Sequence, residues 1–136
     1  LMFGDWVPDV WVQKWKAGGK KQLICQAEIF PILVSKATWR AELKHRSILW
    51  FIDNNSALSA VIRSFSPVIE NYELLVLNAR LDLQLQSLHW YSRVPSKSNL
   101  SDSASRLDFK ELETFGFLRC EPQYESLMSI ESGVVA

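Results

Sequence analysis

Between residues 7 and 19, Val7, Trp11 and Trp15 fall on one helical stripe, with Pro8 and Asp9 where a helix would begin. Lys14 and Lys16 sit near its end, and Gly18 and Gly19 where it would stop. A short helix is predicted there, although Val10 and Val12 flanking Trp11 also allow a strand. Residues 1–3 look like the end of a strand stopped by Gly4. From 27 to about 44, Phe30, Val34, Ala37 and Ala41 keep helical spacing, with Ile29 and Leu33 beside them. Pro31 falls in what this pattern makes the first turn, where a missing N–H does little harm.

Residues 47–52 are dense in branched and aromatic side chains between a charged cluster and Asp53-Asn54-Asn55, the signature of a buried strand. Asn54 or Asn55 then caps a helix carrying Ala57, Val61 and Ile62. Ser66-Pro67 is predicted to open a helix running to about Leu85, with Ile69, Tyr72, Val76, Ala79 and Leu83 as its apolar positions. A second strand, 88–94, ends at Pro95, and a polar loop at 96–100 leads to a short helix over 101–107. The two strands should be buried neighbours, with Trp50 well covered. The alternation of helices with short strands places the chain in the α/β class. Residues 110–136 hold one apolar cluster, Phe115 to Leu118, in a weakly patterned stretch, and are expected to be an extension, partly disordered. No internal repeat is visible.

With 136 residues, 48% of them hydrophobic and 22% charged, the chain is long enough to bury the core of one domain. No apolar run approaches the ~20 residues needed to cross a bilayer. No succession of basic, apolar and small residues resembles a signal peptide, and two cysteines make no disulfide framework, so an intracellular, reducing setting is expected. The chain opens at Leu1 rather than Met, from which a processed or trimmed product is expected. Fifteen basic residues balance fifteen acidic ones, so any nucleic-acid site must be a local patch and not a property of the whole field.

Three carboxylates stand at the edges of predicted elements: Glu28 at the opening of the first long helix, Asp53 at the end of the first clear strand, Asp102 in the first turn of the last helix. Such positions suit Mg²⁺, which takes a few hard oxygen ligands together with water and substrate phosphate. Two such ions can clamp the attacking and departing oxygens of a phosphodiester displacement. A bland reading stands beside this one. Glu28 and Asp102 also suit a helix N-terminus as simple dipole partners, and Asp53 suits a solvated turn.

The sequences around these residues form three blocks: Gln26-Ala27-Glu28 before a helix with Trp39; Trp50-Phe51-Ile52-Asp53-Asn54-Asn55-Ser56-Ala57; and Arg93 through Leu107, containing Asn99, Asp102 and Arg106. In their order and approximate spacing they resemble the ribonuclease H-like domain of retroelement (reverse transcriptase) polyproteins, over roughly residues 1–109. The resemblance implies a mixed sheet flanked by helices, and a hydrolase that cuts the RNA strand of an RNA–DNA hybrid with two Mg²⁺ ions. It assigns Glu28, Asp53 and Asp102 as metal-binding catalytic carboxylates that converge on one edge, with Asn99 and Arg106 framing the last block.

One departure from the family is large. Its first aspartate lies on an opening strand well upstream of the glutamate, and too few residues precede Glu28 for three strands. Asp5 and Asp9 are in the wrong place to replace it. The expected fold is therefore incomplete at the N-terminus, a poor nuclease alone, with a sheet edge left for upstream residues or a partner chain to cover. Two functions compete on these grounds: a nuclease fragment of a retrotransposon enzyme, or a non-catalytic structural subunit that keeps the fold.

Other residues carry weaker expectations. Trp39 and Trp50 sit in apolar patterns and are predicted core residues, while Trp11, Trp15 and Trp90 leave base stacking open. Lys36, Arg40, Lys44, His45 and Arg46 form a basic run expected to be a solvated face, or else part of a hybrid-binding surface. His89 is expected to be packed, and Cys25 lacks a nearby His that would make it a nucleophile.

Overall fold

The computed structural model describes residues 1–17, 23–125 and 127. The elements run α1 (Asp9–Lys16), α2 (Ile24–Thr38), α3 (Arg40–Leu43), β1 (Ser47–Ile52), α4 (Asn55–Arg63), α5 (Ile69–Leu85), β2 (Leu88–Arg93), α6 (Asp102–Ser105) and α7 (Lys110–Thr114), with a 3₁₀ turn at Ser96–Ser98. The chain is thus of mixed α/β class. β1 and β2 pair in parallel, in the register Ser47 with Leu88 through Ile52 with Arg93. Parallel neighbours need a crossover, and α4 with α5 supplies it.

Helix α2 is the centre of the molecule. It packs along α5 and against α4, and the run Ile32 to Ala37 is buried on every side. Helices that are apolar nearly all round belong inside a protein. α1 covers it with Trp11 and Trp15, each 2% exposed, whose rings meet Phe30. These two indoles are core residues and not stacking platforms. The expected helix over 27–44 is corrected in both directions: it starts at Ile24, and Trp39, at φ −106° and ψ 37°, separates α2 from α3. Glu28 and Pro31 therefore lie within the helix, beyond its first turn. Pro31 is exposed, so the carbonyl it leaves without a helical donor faces the water side.

The predicted cap of α4 is Asn54, whose Oδ1 accepts from the Ala57 N–H at 2.9 Å. Two expectations about α5 fail. Its helical turns begin at Ile69, after Ser66 Oγ has accepted from the Val68 N–H, so Pro67 is not its first residue. Its buried face is also the opposite one: Leu74, Leu77, Leu81 and Leu85 are inside with Asn71 and Asn78, whereas Ile69, Tyr72 and Leu83 are exposed. Both stripes have helical spacing, and the polar residues on the inner one hide it. Lys36 explains the burial of Asn78, as shown below, and Asn71 Nδ2 donates to Cys25 Sγ and Ser66 Oγ.

The strands are not buried on both faces, which corrects the sequence expectation. Leu49, Phe51, Leu88 and Trp90 are 54%, 61%, 61% and 53% exposed. The register puts Leu49 beside Trp90, and all four on one side of the sheet. The other side meets the helices through Trp50, Ile52 and Tyr91. Trp50 is half-buried rather than fully covered.

Residues 1–3 form no strand beyond a single bridge from Met2 to Arg119, with Met2 N–H on the Leu118 carbonyl and Cys120 N–H on the Met2 carbonyl. Gly4 serves packing instead: a Cβ there would lie 2.0 Å from the Ala104 carbonyl oxygen. Met2, Ala104, Phe109 and Leu112 make a small second core. Further on, Tyr124 stacks on Phe30 and bonds Asp5, and Leu127 is fully buried. Gly18 and Gly19, and residues 128–136 of the expected extension, lie outside the described residues. Among those described, no helix is long and apolar enough to cross a membrane.

Candidate functional site

Because β1 and β2 run parallel, their C-terminal ends lie on one edge, where ligands of open α/β sheets commonly bind. Asp53 follows β1 directly. The loop after β2 returns to it: Asn99 Nδ2 donates to Asp53 Oδ2 at 3.0 Å. Asn99 Oδ1 in turn accepts from the Ser101 N–H at 3.1 Å and the Ser101 hydroxyl at 2.7 Å. Its carbonyl accepts from the Asp102 N–H at 3.2 Å. One asparagine thus fixes the end of β1 against the start of α6, the framing role the sequence assigned to it.

Glu28 reaches the same edge from α2. Burial first, and then the negative charge of Asp53, push its carboxyl pKa above its ordinary value. Glu28 and Asp53 are therefore brought together. Asp102 is joined to Asp53 through Asn99, but its carboxylate faces the Arg106 guanidinium at 3.2 Å, a largely exposed i,i+4 pair. Among the described residues, no three His, Cys, Asp or Glu side chains are grouped closely enough to hold a metal ion. Glu28 and Asp53 could supply part of an Mg²⁺ coordination sphere, and the described residues do not complete one.

A second polar constellation lies deeper, and the sequence expectation missed it. Lys36, assigned above to a solvated basic face, is fully buried. Its ammonium donates to Asn78 Oδ1 at 2.6 Å, Asp82 Oδ1 at 2.7 Å and the Tyr91 hydroxyl at 2.8 Å. An ammonium has three donors, and all three are used. Asn78 Nδ2 closes a ring by donating to the Tyr91 hydroxyl at 3.3 Å. Burial lowers the Lys36 pKa against the opposing pull of Asp82, and burial raises that of Tyr91 to about 12.

His89 extends this network. Its Nδ1 accepts from Trp50 Nε1 at 3.0 Å, and so carries no proton. Its Nε2 lies 3.2 Å from Asp82 Oδ1 without the alignment of a hydrogen bond, so that contact is electrostatic. Burial first and Lys36 second lower its pKa, against Asp82. The packed histidine expected from sequence is found, its side chain 3% exposed. Legible signals for the network existed: Lys36 follows Ile29 and Leu33 on the buried stripe of α2, and Asn78 and Asp82 are four apart on α5. Cys25 accepts from Asn71 Nδ2 at 3.4 Å, which gives its sulfur a structural contact.

Compared with family models, with curated protein sequences and with solved structures, the chain matches none.

Proposed function

We propose that this chain forms the C-terminal part of a ribonuclease H-like nuclease domain of retroelement type. In its complete form that domain cuts the RNA strand of RNA–DNA hybrids with two Mg²⁺ ions. Alone, the chain is inactive. The observation that supports this reading is the meeting of Glu28 and Asp53 at the C-terminal edge of parallel strands, with Asp53 held by Asn99 from the block that contains Asp102. Burial and the charge of Asp53 raise the proton affinity of Glu28, and a cation or a proton between the two carboxylates would relieve that strain. Retaining such a pair beside a polar loop costs stability without a ligand. The described residues do not complete a metal site.

The test is a titration of the folded chain with Mn²⁺, a paramagnetic replacement for Mg²⁺ at oxygen ligands. Amide signals near residues 28, 53 and 99–102 should broaden first, and Asp53→Asn should remove the effect. Broadening spread evenly over all acidic residues would sink the proposal.

A second reading is favoured by the bare apolar side of the sheet. Four large exposed side chains, Leu49, Phe51, Leu88 and Trp90, lie together there. Large contiguous apolar patches mark interaction surfaces. In this reading the chain is a non-catalytic structural subunit, and Glu28 and Asp53 bind no metal.

A further inference from the structure

The outer edge of β2 opens on a cleft of about 450 Å³ walled by Val61 and Ile62 of α4, Asn78 and Asp82 of α5, and Trp90. The ladder fixes which backbone groups face it. Leu88 N–H donates to the Arg46 carbonyl and Val94 N–H to the Ile52 carbonyl, so even-numbered residues of β2 point their N–H and C=O groups inward to β1. Those of His89 and Tyr91 point outward into the cleft. Among the described residues, no protein group bonds them. A row of free donors and acceptors is a template for another strand.

The walls select what that strand carries. Asp82 is the only carboxylate, ammonium or guanidinium among the described lining residues, and His89 beside it is held neutral by its bond from Trp50. Both buried contacts of Asp82, to Lys36 and His89, fall on Oδ1. Oδ2 has no partner among the described residues, and the side chain is 31% exposed. It is positioned to accept from an incoming ammonium or guanidinium. Lys36 answers Oδ1 from the interior, which leaves Oδ2 as the oxygen turned to an incoming donor. Trp90, on the other side of the sheet, and Ile62, on the helix side, are both more than half exposed and offer apolar surface.

We propose that this cleft binds an extended peptide segment that adds as a strand to the outer edge of β2, with a lysine or arginine against Asp82 and apolar residues at the alternate positions over Trp90. The site is on the opposite edge of the sheet from the edge of β1 left open for further strands, and it does not depend on nuclease chemistry.

The test uses the intact chain and a short capped peptide of alternating valine and lysine, followed by amide NMR. Binding should shift and protect the amides of His89 and Tyr91, and leave those of Leu49 and Phe51 unchanged. Replacing lysine by glutamate in the peptide should weaken binding at least about tenfold, or about 1.4 kcal/mol. N-methylation of the peptide backbone, which removes strand donors, should do the same. Asp82→Asn should weaken the lysine peptide and shrink the gap between the lysine and glutamate peptides; the peptide comparisons stand even where that variant folds poorly. Equal affinity for lysine and glutamate peptides, no effect of N-methylation, perturbation centred on Leu49 and Phe51, or no binding would each overturn the proposal.

Discussion

Lys36 is the centre of the buried polar network formed with Asn78, Asp82 and Tyr91. A fully buried ammonium is tolerated because three acceptors meet its three protons, and because Asp82 supplies the opposite charge. Breaking such a pair from one side leaves the other charge uncompensated. Asp82→Ala should lower stability by about 3 kcal/mol, the low end for buried pairs because Asp82 is partly exposed. Lys36→Met leaves Asn78 and Tyr91 without their donor and Asp82 without its partner, but Asp82 is 31% exposed and can be hydrated, so the change should cost about 1–3 kcal/mol. Urea melts of the two variants give the order directly, and a milder Asp82→Ala would contradict the assignment. His89 offers a second check. Its folded pKa is lowered, so the unfolded chain takes up a proton first, near pH 6.5. The stability tied to neutral His89 is complete above that pH and is lost as pH falls. Ring chemical shifts should show an Nε2–H tautomer with a midpoint below about 6.5, and a midpoint above it would exclude the Trp50 hydrogen bond.

At the scale of elements, α5 separates what the sequence revealed from what it hid. The helix itself was legible from its period, but its inner face was not. Leu74, Leu77, Leu81 and Leu85 share that face with Asn71 and Asn78, which lower its apparent hydrophobicity, while Tyr72, Val76 and Leu83 decorate the outer one. Only the presence of Lys36 on α2, 42 positions away from Asn78, turns buried asparagine into an advantage. Leu81→Ala should therefore cost about 2–5 kcal/mol, and Leu83→Ala less than about 0.5 kcal/mol. Thermal melts that reversed this order would restore the stripe expected from sequence. The cap at Asn54 and both strands were legible because their signals are local. The start of α2 at Ile24 was not, because Leu23 gives no capping side chain. In the candidate site, Glu28, Asp53 and Asn99 were found through short blocks, while the Lys36 network needed contacts that no local pattern encodes.

At the scale of the whole molecule, helices cover one side of a two-stranded sheet and nothing among the described residues covers Leu49, Phe51, Leu88 and Trp90 on the other. The outward groups of Ser47, Leu49 and Phe51 also leave β1 with an open edge. The isolated chain should self-associate as its concentration rises, and Phe51→Lys should suppress this while changing stability by no more than about 0.5 kcal/mol. Sedimentation at several concentrations checks it, and a wild-type chain that stays monomeric throughout would show that the surface is not adhesive. The proposed nuclease reading would set a further strand carrying an aspartate at this open edge. Cleavage of a labelled RNA–DNA hybrid by a version extended upstream with a strand ending in Asp therefore tests the account most directly. RNA-strand cleavage that requires Mg²⁺, stops on chelation and vanishes in Glu28→Gln and Asp53→Asn is the result expected; a folded extended protein that leaves the hybrid intact, or cuts it equally well with both carboxylates replaced, would contradict it.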